Sequence, residues 1–166
     1  MACAGGTLTL RPGKKRGFAA QETMTSEQIL KLIPHRPPML LIDEIVELTE
    51  SSVVCRKTFR DDEFFFRGHY PDFPLVPGVI LCESAMQAGA VLVGSRVSGE
   101  DLMPVVAKIK EARFKHMVRP GDTIEIHVEL TDAVARAYFM TAKVTVGSEL
   151  AVRFAFTCMI TDKSQN

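Results

Sequence analysis

The chain has 166 residues, room for one well-filled core, and its 46% hydrophobic and 24% charged residues are ordinary globular usage. A formal net charge of zero at pH 7 argues against general affinity for nucleic acid or for an acidic membrane surface. Cys3, Cys55, Cys82 and Cys158 are widely spaced and form no C-x-x-C, so neither a zinc site nor a disulfide framework is expected, and reduced thiols in a cytoplasmic compartment are the default.

Residues 1–23 are rich in Gly and Ala, carry Arg11, Lys14, Lys15 and Arg16, and reach their first acid at Glu22. They lack the apolar core of a secretory signal and are expected to be a disordered tail ahead of a single domain over 24–166. A plain flexible tail, an upstream start with Met24 as the true initiator, and a targeting peptide all stay open. The pattern over 26–33 predicts a short amphipathic helix, opened by Thr25 with Gln28 three residues on and closed before Pro34. Strand candidates follow at 40–48 and 53–59.

The run Gly68-His69-Tyr70-Pro71-Asp72-Phe73-Pro74-Leu75-Val76-Pro77-Gly78-Val79 is the most informative in the chain. Its three prolines fix φ and push Tyr70, Phe73 and Val76 toward extended conformations, so a stiff, non-helical strap is expected after His69. Pro77 suits the first turn of a helix. Over about 77–97 that helix is apolar at every phase except for Glu83 and Gln87, which predicts burial on all sides. At about 30 Å it spans a small domain; the two polar groups inside it disfavour a membrane span.

Beyond the helix, residues 105–118 form a strand candidate whose alternation breaks near Glu111 to Arg113, where a bulge is expected. Pro120-Gly121-Asp122 supplies a turn. Ile124, Ile126, Val128 and Leu130 then alternate with polar residues, the period of a half-buried strand. Residues 137–146 and 150–160 are strand-like and separated by Gly147-Ser148-Glu149, a hairpin signature. The expected class is α+β: a curved antiparallel sheet of five or six strands around one long buried helix.

Three blocks carry a resemblance. They are Ile33-Pro34-His35-Arg36-Pro37-Pro38-Met39-Leu40-Leu41-Ile42-Asp43; the strap with Gly78-Val79, Glu83 and Gln87; and Ala112-Arg113-Phe114 with Val118 and Pro120-Gly121-Asp122. In that order, across roughly 25–162, the chain resembles the FabZ-type 3-hydroxyacyl-[acyl-carrier-protein] dehydratases. The resemblance implies a hotdog fold and a hydro-lyase that converts (3R)-hydroxyacyl-[acyl-carrier-protein] to the trans-2-enoyl form in fatty acid synthesis. It also implies acyl carrier protein as partner and a homodimer, often a trimer of dimers, whose sites combine His69 of one chain with Glu83 of the other. Asp72, Phe73 and the stretch 107–110 depart from the family pattern at positions that bear on chain length and carrier contacts.

Dehydration needs a base near the C2 proton, an acid near the 3-hydroxyl, and donors for enolate-like charge on the thioester carbonyl. His69 suits the first role. Glu83, in an almost uncharged helix, suits the second because burial favours the protonated form an acid requires. The amides of Gly78 and Val79, at the positive end of the helix dipole, suit the third. Such chemistry requires no metal and no organic cofactor.

Other readings attach to each residue. Without the family block, His69 is a hydrogen-bonded loop histidine and Glu83 a buried acid paired with Arg or water. Gln87 either orients Glu83 or a water, or satisfies buried backbone groups. Tyr70 and Phe73 are packing residues that the resemblance turns into a gate at an acyl tunnel. His35 and Arg36 read as a structural turn, and Cys82 as a small hydrophobe. Lys108, Lys110, Arg113, Lys115 and Arg119 suit either an acidic carrier or solvent. A hotdog thioesterase, revealed by free thiol, and a non-catalytic acyl-carrier-binding subunit remain the alternative functions. A dehydratase-isomerase is disfavoured because that family carries Asp at the position of Glu83.

Overall fold

The structure, a computed structural model, describes Met24 and residues 26–96 and 102–162; the expectations for 1–23 and for Thr25 lie outside them. In chain order the elements are α1 (Ser26–Leu32), β1 (Glu44–Leu48), β2 (Ser52–Thr58), α2 (Gly78–Gly94), β3 (Leu102–Phe114), β4 (Thr123–Val134), β5 (Ala137–Val146) and β6 (Glu149–Asp162). The strands form one sheet in the order β1-β2-β4-β5-β6-β3, every neighbouring pair antiparallel. This is the expected α+β arrangement, one long helix packed on a six-stranded antiparallel sheet.

The alternating sequence determines the inner face. Val53, Val128, Ala142 and Phe154 stand opposite one another across four strands, and Cys55, Ile126, Val144 and Val152 form the next row but one. All eight side chains are buried, together with Leu81, Ala85, Ala88, Val91 and Leu92 of α2. The helix lies close to the sheet: a methyl group on Gly89 would sit 2.7 Å from the Phe156 ring.

Two differences from expectation matter for the site. The apolar helix is covered on all sides only in its C-terminal half; Val79 is 72% exposed, and Ile80, Glu83 and Met86 on the same side are partly open. Beside that strip runs β3, an edge strand exposed along most of its length, with Val105, Val106, Ile109 and Phe114 among its uncovered apolar residues. The bulge lies where the alternation breaks, with a register shift between Lys110 and Arg113 and Glu111 at φ +54°.

The segment from β2 to α2 is tied down despite lacking regular structure. Lys57 falls on the inward phase of β2 and is 5% exposed, so its charge needs partners. It finds the Glu63 carboxylate at 2.9 Å and Asp43 at 3.2 Å. Phe59, Phe65 and Phe66 are buried alongside, with edge-to-face ring contacts. Farther on, the Val76 N–H donates to the Val118 carbonyl at 2.8 Å, which fastens the strap to the middle of the β3–β4 connection.

Candidate active site

The strap is less extended than its prolines imply. Phe73 N–H donates to the Tyr70 carbonyl at 2.9 Å, closing a turn, and Tyr70 adopts φ +51°. A tyrosine in the left-handed region stores backbone strain on the order of 1–2 kcal/mol. The turn bond and an edge-to-face contact of the Tyr70 ring with His69, centroids 4.6 Å apart, hold it there. Tyr70 and Phe73 are 62% and 48% exposed, and the Arg119 guanidinium stacks over the Phe73 ring at 4.4 Å.

His69 is fixed at both ends. Its backbone N–H donates to the Phe65 carbonyl at 3.0 Å, and its ring Nδ1 lies 3.2 Å from the Leu75 carbonyl. A carbonyl only accepts, so Nδ1 carries the proton, and Nε2 of the neutral ring is left with a free lone pair.

Pro77 is the residue before α2, with ψ 135°, and Gly78 is the first helical residue. The Phe114 ring lies against Gly78, 2.7 Å from where a Cβ would stand, so Gly lets the start of the helix and the end of β3 meet. One turn on, the Glu83 carboxylate accepts a hydrogen bond from Gln87 Nε2 at 3.0 Å, and His35 Nε2 lies 3.6 Å from the same oxygen. Gln87 is fully buried. Its Oε1 accepts from Leu41 N–H at 2.9 Å, and its other amide hydrogen goes to the Met39 carbonyl at 2.7 Å. Gln87 therefore satisfies buried backbone and orients Glu83 at once, with both amide hydrogens committed inside the chain.

That stitching also explains His35. By clamping residues 39–41 to α2, Gln87 brings the preceding loop over Glu83. Arg36 behaves as the structural residue that the sequence predicts, donating to the Leu30 and Ile33 carbonyls at the end of α1. His35, read with it as part of a turn, instead faces the carboxylate. Only its place two residues after Ile33 in the first block pointed to it.

Within the described residues no hydrogen bond or ion pair joins His69 to Glu83. No cluster of three or more His, Cys, Asp or Glu there is arranged for a metal ion, and no helix is long and apolar enough to cross a membrane. Burial pushes the thiols of Cys55 and Cys158 up to about 12 and about 11, the nearby Glu83 charge adding to the second. Cys82 is also raised by burial. A cleft of about 970 Å³ lies elsewhere, lined by Glu47, Glu129, Arg113, Lys143 and Arg153 among others, and touches none of His35, His69, Glu83 and Gln87. Its mixed charges favour no particular ligand.

The chain has clear relatives among known proteins. The FabA-like domain family matches residues 33–155. A 3-hydroxyacyl-[acyl-carrier-protein] dehydratase FabZ of Clostridium perfringens is 39% identical over 128 residues, 77% of this chain and 92% of the relative. The enzyme of the same name from Staphylococcus carnosus is 40% identical over 136 residues, 81% and 94% of the two chains. Among solved structures, the dehydratase heterocomplex ApeI:P of Xenorhabdus doucetiae superposes with a TM-score of 0.70 at 16% identity, over 82% of this chain and 93% of that one. A hypothetical thioesterase with coenzyme A from Streptococcus pneumoniae gives 0.57 at 16% identity, over 71% and 87%. Structural likeness at such identities speaks for the hotdog fold alone; the sequence matches go further, and with them the chain belongs to the FabA-like family, among the FabZ-type 3-hydroxyacyl-[acyl-carrier-protein] dehydratases.

Proposed function

We propose that this protein is a hydro-lyase of fatty acid synthesis that dehydrates (3R)-hydroxyacyl-[acyl-carrier-protein] to the trans-2-enoyl thioester. His69 Nε2 removes the C2 proton, and the electron pair left behind forms the C2=C3 double bond as the C3–O bond breaks. Glu83 donates its proton to the departing hydroxyl, which leaves as water. The C2 proton on His69 and the vacancy on Glu83 balance, so a proton exchange with solvent resets the pair. The N–H groups of Gly78 and Val79 hold the thioester oxygen, whose negative charge grows as C2 loses its proton. Tyr70 and Phe73, exposed on the strap next to His69, line the entry of the acyl chain. Gln87 contributes by holding Glu83.

The observation that carries this reading is the His69 tautomer: a ring whose Nδ1–H is committed to Leu75 presents Nε2 as a base. The site is completed by a second copy of the chain, His69 of one protomer facing Glu83 of the other. The lack of any bond between the two within a chain and the uncovered strip of α2 beside the β3 edge support that arrangement. Dimers of this kind are expected to assemble further into a trimer of dimers, and the free, buried Cys55, Cys82 and Cys158 suit a reducing cytoplasm.

Purified protein incubated with 3-hydroxybutyryl-carrier substrate tests the reaction. Growth of enoyl absorbance without free thiol is the expected result. Release of thiol would make it a thioesterase, and binding without turnover a carrier-binding subunit.

A further inference from the structure

Glu83 has to do two things that conflict: hold a proton before the reaction and give it up during the reaction. The surroundings of its carboxylate bear on the second. One donor, Gln87 Nε2–H, already touches Oε1 at 3.0 Å. His35 Nε2 stands 3.6 Å from the same oxygen, just beyond hydrogen-bond distance and a few tenths of an ångström from closing one. The opposite ring nitrogen, His35 Nδ1, is buried and meets no acceptor. A proton placed there would be a buried donor with no partner, costlier than a buried lone pair, so the single proton of the neutral ring sits on Nε2 and faces Glu83. The loop cannot drift away, because Arg36 holds it to the end of α1 and Gln87 clamps Met39 and Leu41 beyond it.

Resting on the proposed role of Glu83 as acid, we propose that His35 is a positioning residue whose Nε2–H closes onto the Glu83 carboxylate as the proton leaves. Its contact is long in the resting state and shortens only as negative charge appears, so it favours the transition state over bound substrate. Such an interaction raises kcat and leaves KM alone.

Four variants separate this from packing. His35→Ala and His35→Phe both remove the donor, the second while keeping ring volume. His35→Asn carries its amide nitrogen at the Nδ1 position, short of Glu83, whereas the nitrogen of His35→Gln reaches the Nε2 position. The Ala, Phe and Asn variants are expected to lose about tenfold to a hundredfold in kcat with KM within about twofold, the scale of one hydrogen bond to a charged group. His35→Gln should recover most of that loss, with urea midpoints recorded for all four so that unfolded protein is recognised. If Phe restores kcat as well as Gln does, or if Ala leaves kcat intact, the inference falls while the dehydratase reading stands. Absence of dehydration by the wild-type protein overturns both.

Discussion

Replacing His69 with Ala removes a ring already held in register by Leu75 and Phe65, and Glu83→Gln keeps the shape of the acid while removing its proton. Each is expected to lower kcat by at least about two orders of magnitude, the scale of a lost general acid or base, with the far-UV circular dichroism unchanged. Near wild-type turnover in either variant would refute that residue's assignment. Two glycines separate tight from forgiving contacts. Gly89→Ala drives a methyl into the buried Phe156 ring and Met140 sulfur, with an expected cost of about 1–3 kcal/mol in urea unfolding. Gly78→Ala meets Phe114, which is half-exposed and free to swing away, so the loss should stay below about 1 kcal/mol while activity falls with the displaced ring. The sequence exposed His69 and Glu83 because the strap and the apolar helix isolate them. It hid His35, whose approach to Glu83 depends on Gln87 holding backbone groups 46 and 48 residues away, a contact no local period encodes. The left-handed Tyr70 was equally illegible, since its conformation follows from a turn and a ring contact rather than from the proline after it.

Among the elements, the segment bearing His69 depends on a charge pair that the strand pattern makes necessary. Glu63→Ala leaves the buried Lys57 ammonium with the more exposed Asp43 at 3.2 Å in place of its closer, buried counter-charge, and is expected to cost about 3 kcal/mol in urea unfolding. The double variant Lys57→Met with Glu63→Leu should recover most of that, because apolar side chains of similar size need no counter-charge. A double variant no better than the single would show that the pair does more than neutralise itself. At the β1 edge of the sheet, Met24 exchanges both backbone hydrogen bonds with Ile45. A chain shortened to begin a few residues before Met24 should keep its melting temperature, whereas one beginning at Ser26 loses the bridge and melts lower. The alternation of β4, β5 and β6 was readable because burial is one-sided there, and the bulge in β3 because the alternation breaks at it. The partial exposure of α2 was not, because an apolar residue facing an absent neighbour has the same letter as one facing the core.

For the whole molecule, the proposed sharing of each site between two chains makes mixing informative. Co-refolded His69→Ala and Glu83→Gln chains should yield mixed dimers with one intact site each, and about a quarter of wild-type activity follows from the symmetry of such a dimer. A mixture that stays as inactive as its parents, with exchange verified by native mass spectrometry, would place each site within one chain. The fold class was legible from periodicity at this scale, but the strand order was not, since β3 crosses the whole sheet to pair with β6. That crossing governs how the chain must be made. Leu102 pairs with Asp162 and Phe114 with Val152, so β3 leaves the ribosome long before its partner exists and waits with both edges bare while β4 and β5 form their hairpin. Closing such a distant pairing is slow, and a waiting apolar strand is prone to aggregate. A chain stopped after residue 148 should therefore collect in the insoluble fraction, and mutations that weaken β6 should slow refolding more than those in the β1–β2 hairpin. The edge proposed to meet a second protomer is, during synthesis, the part of the molecule most in need of protection.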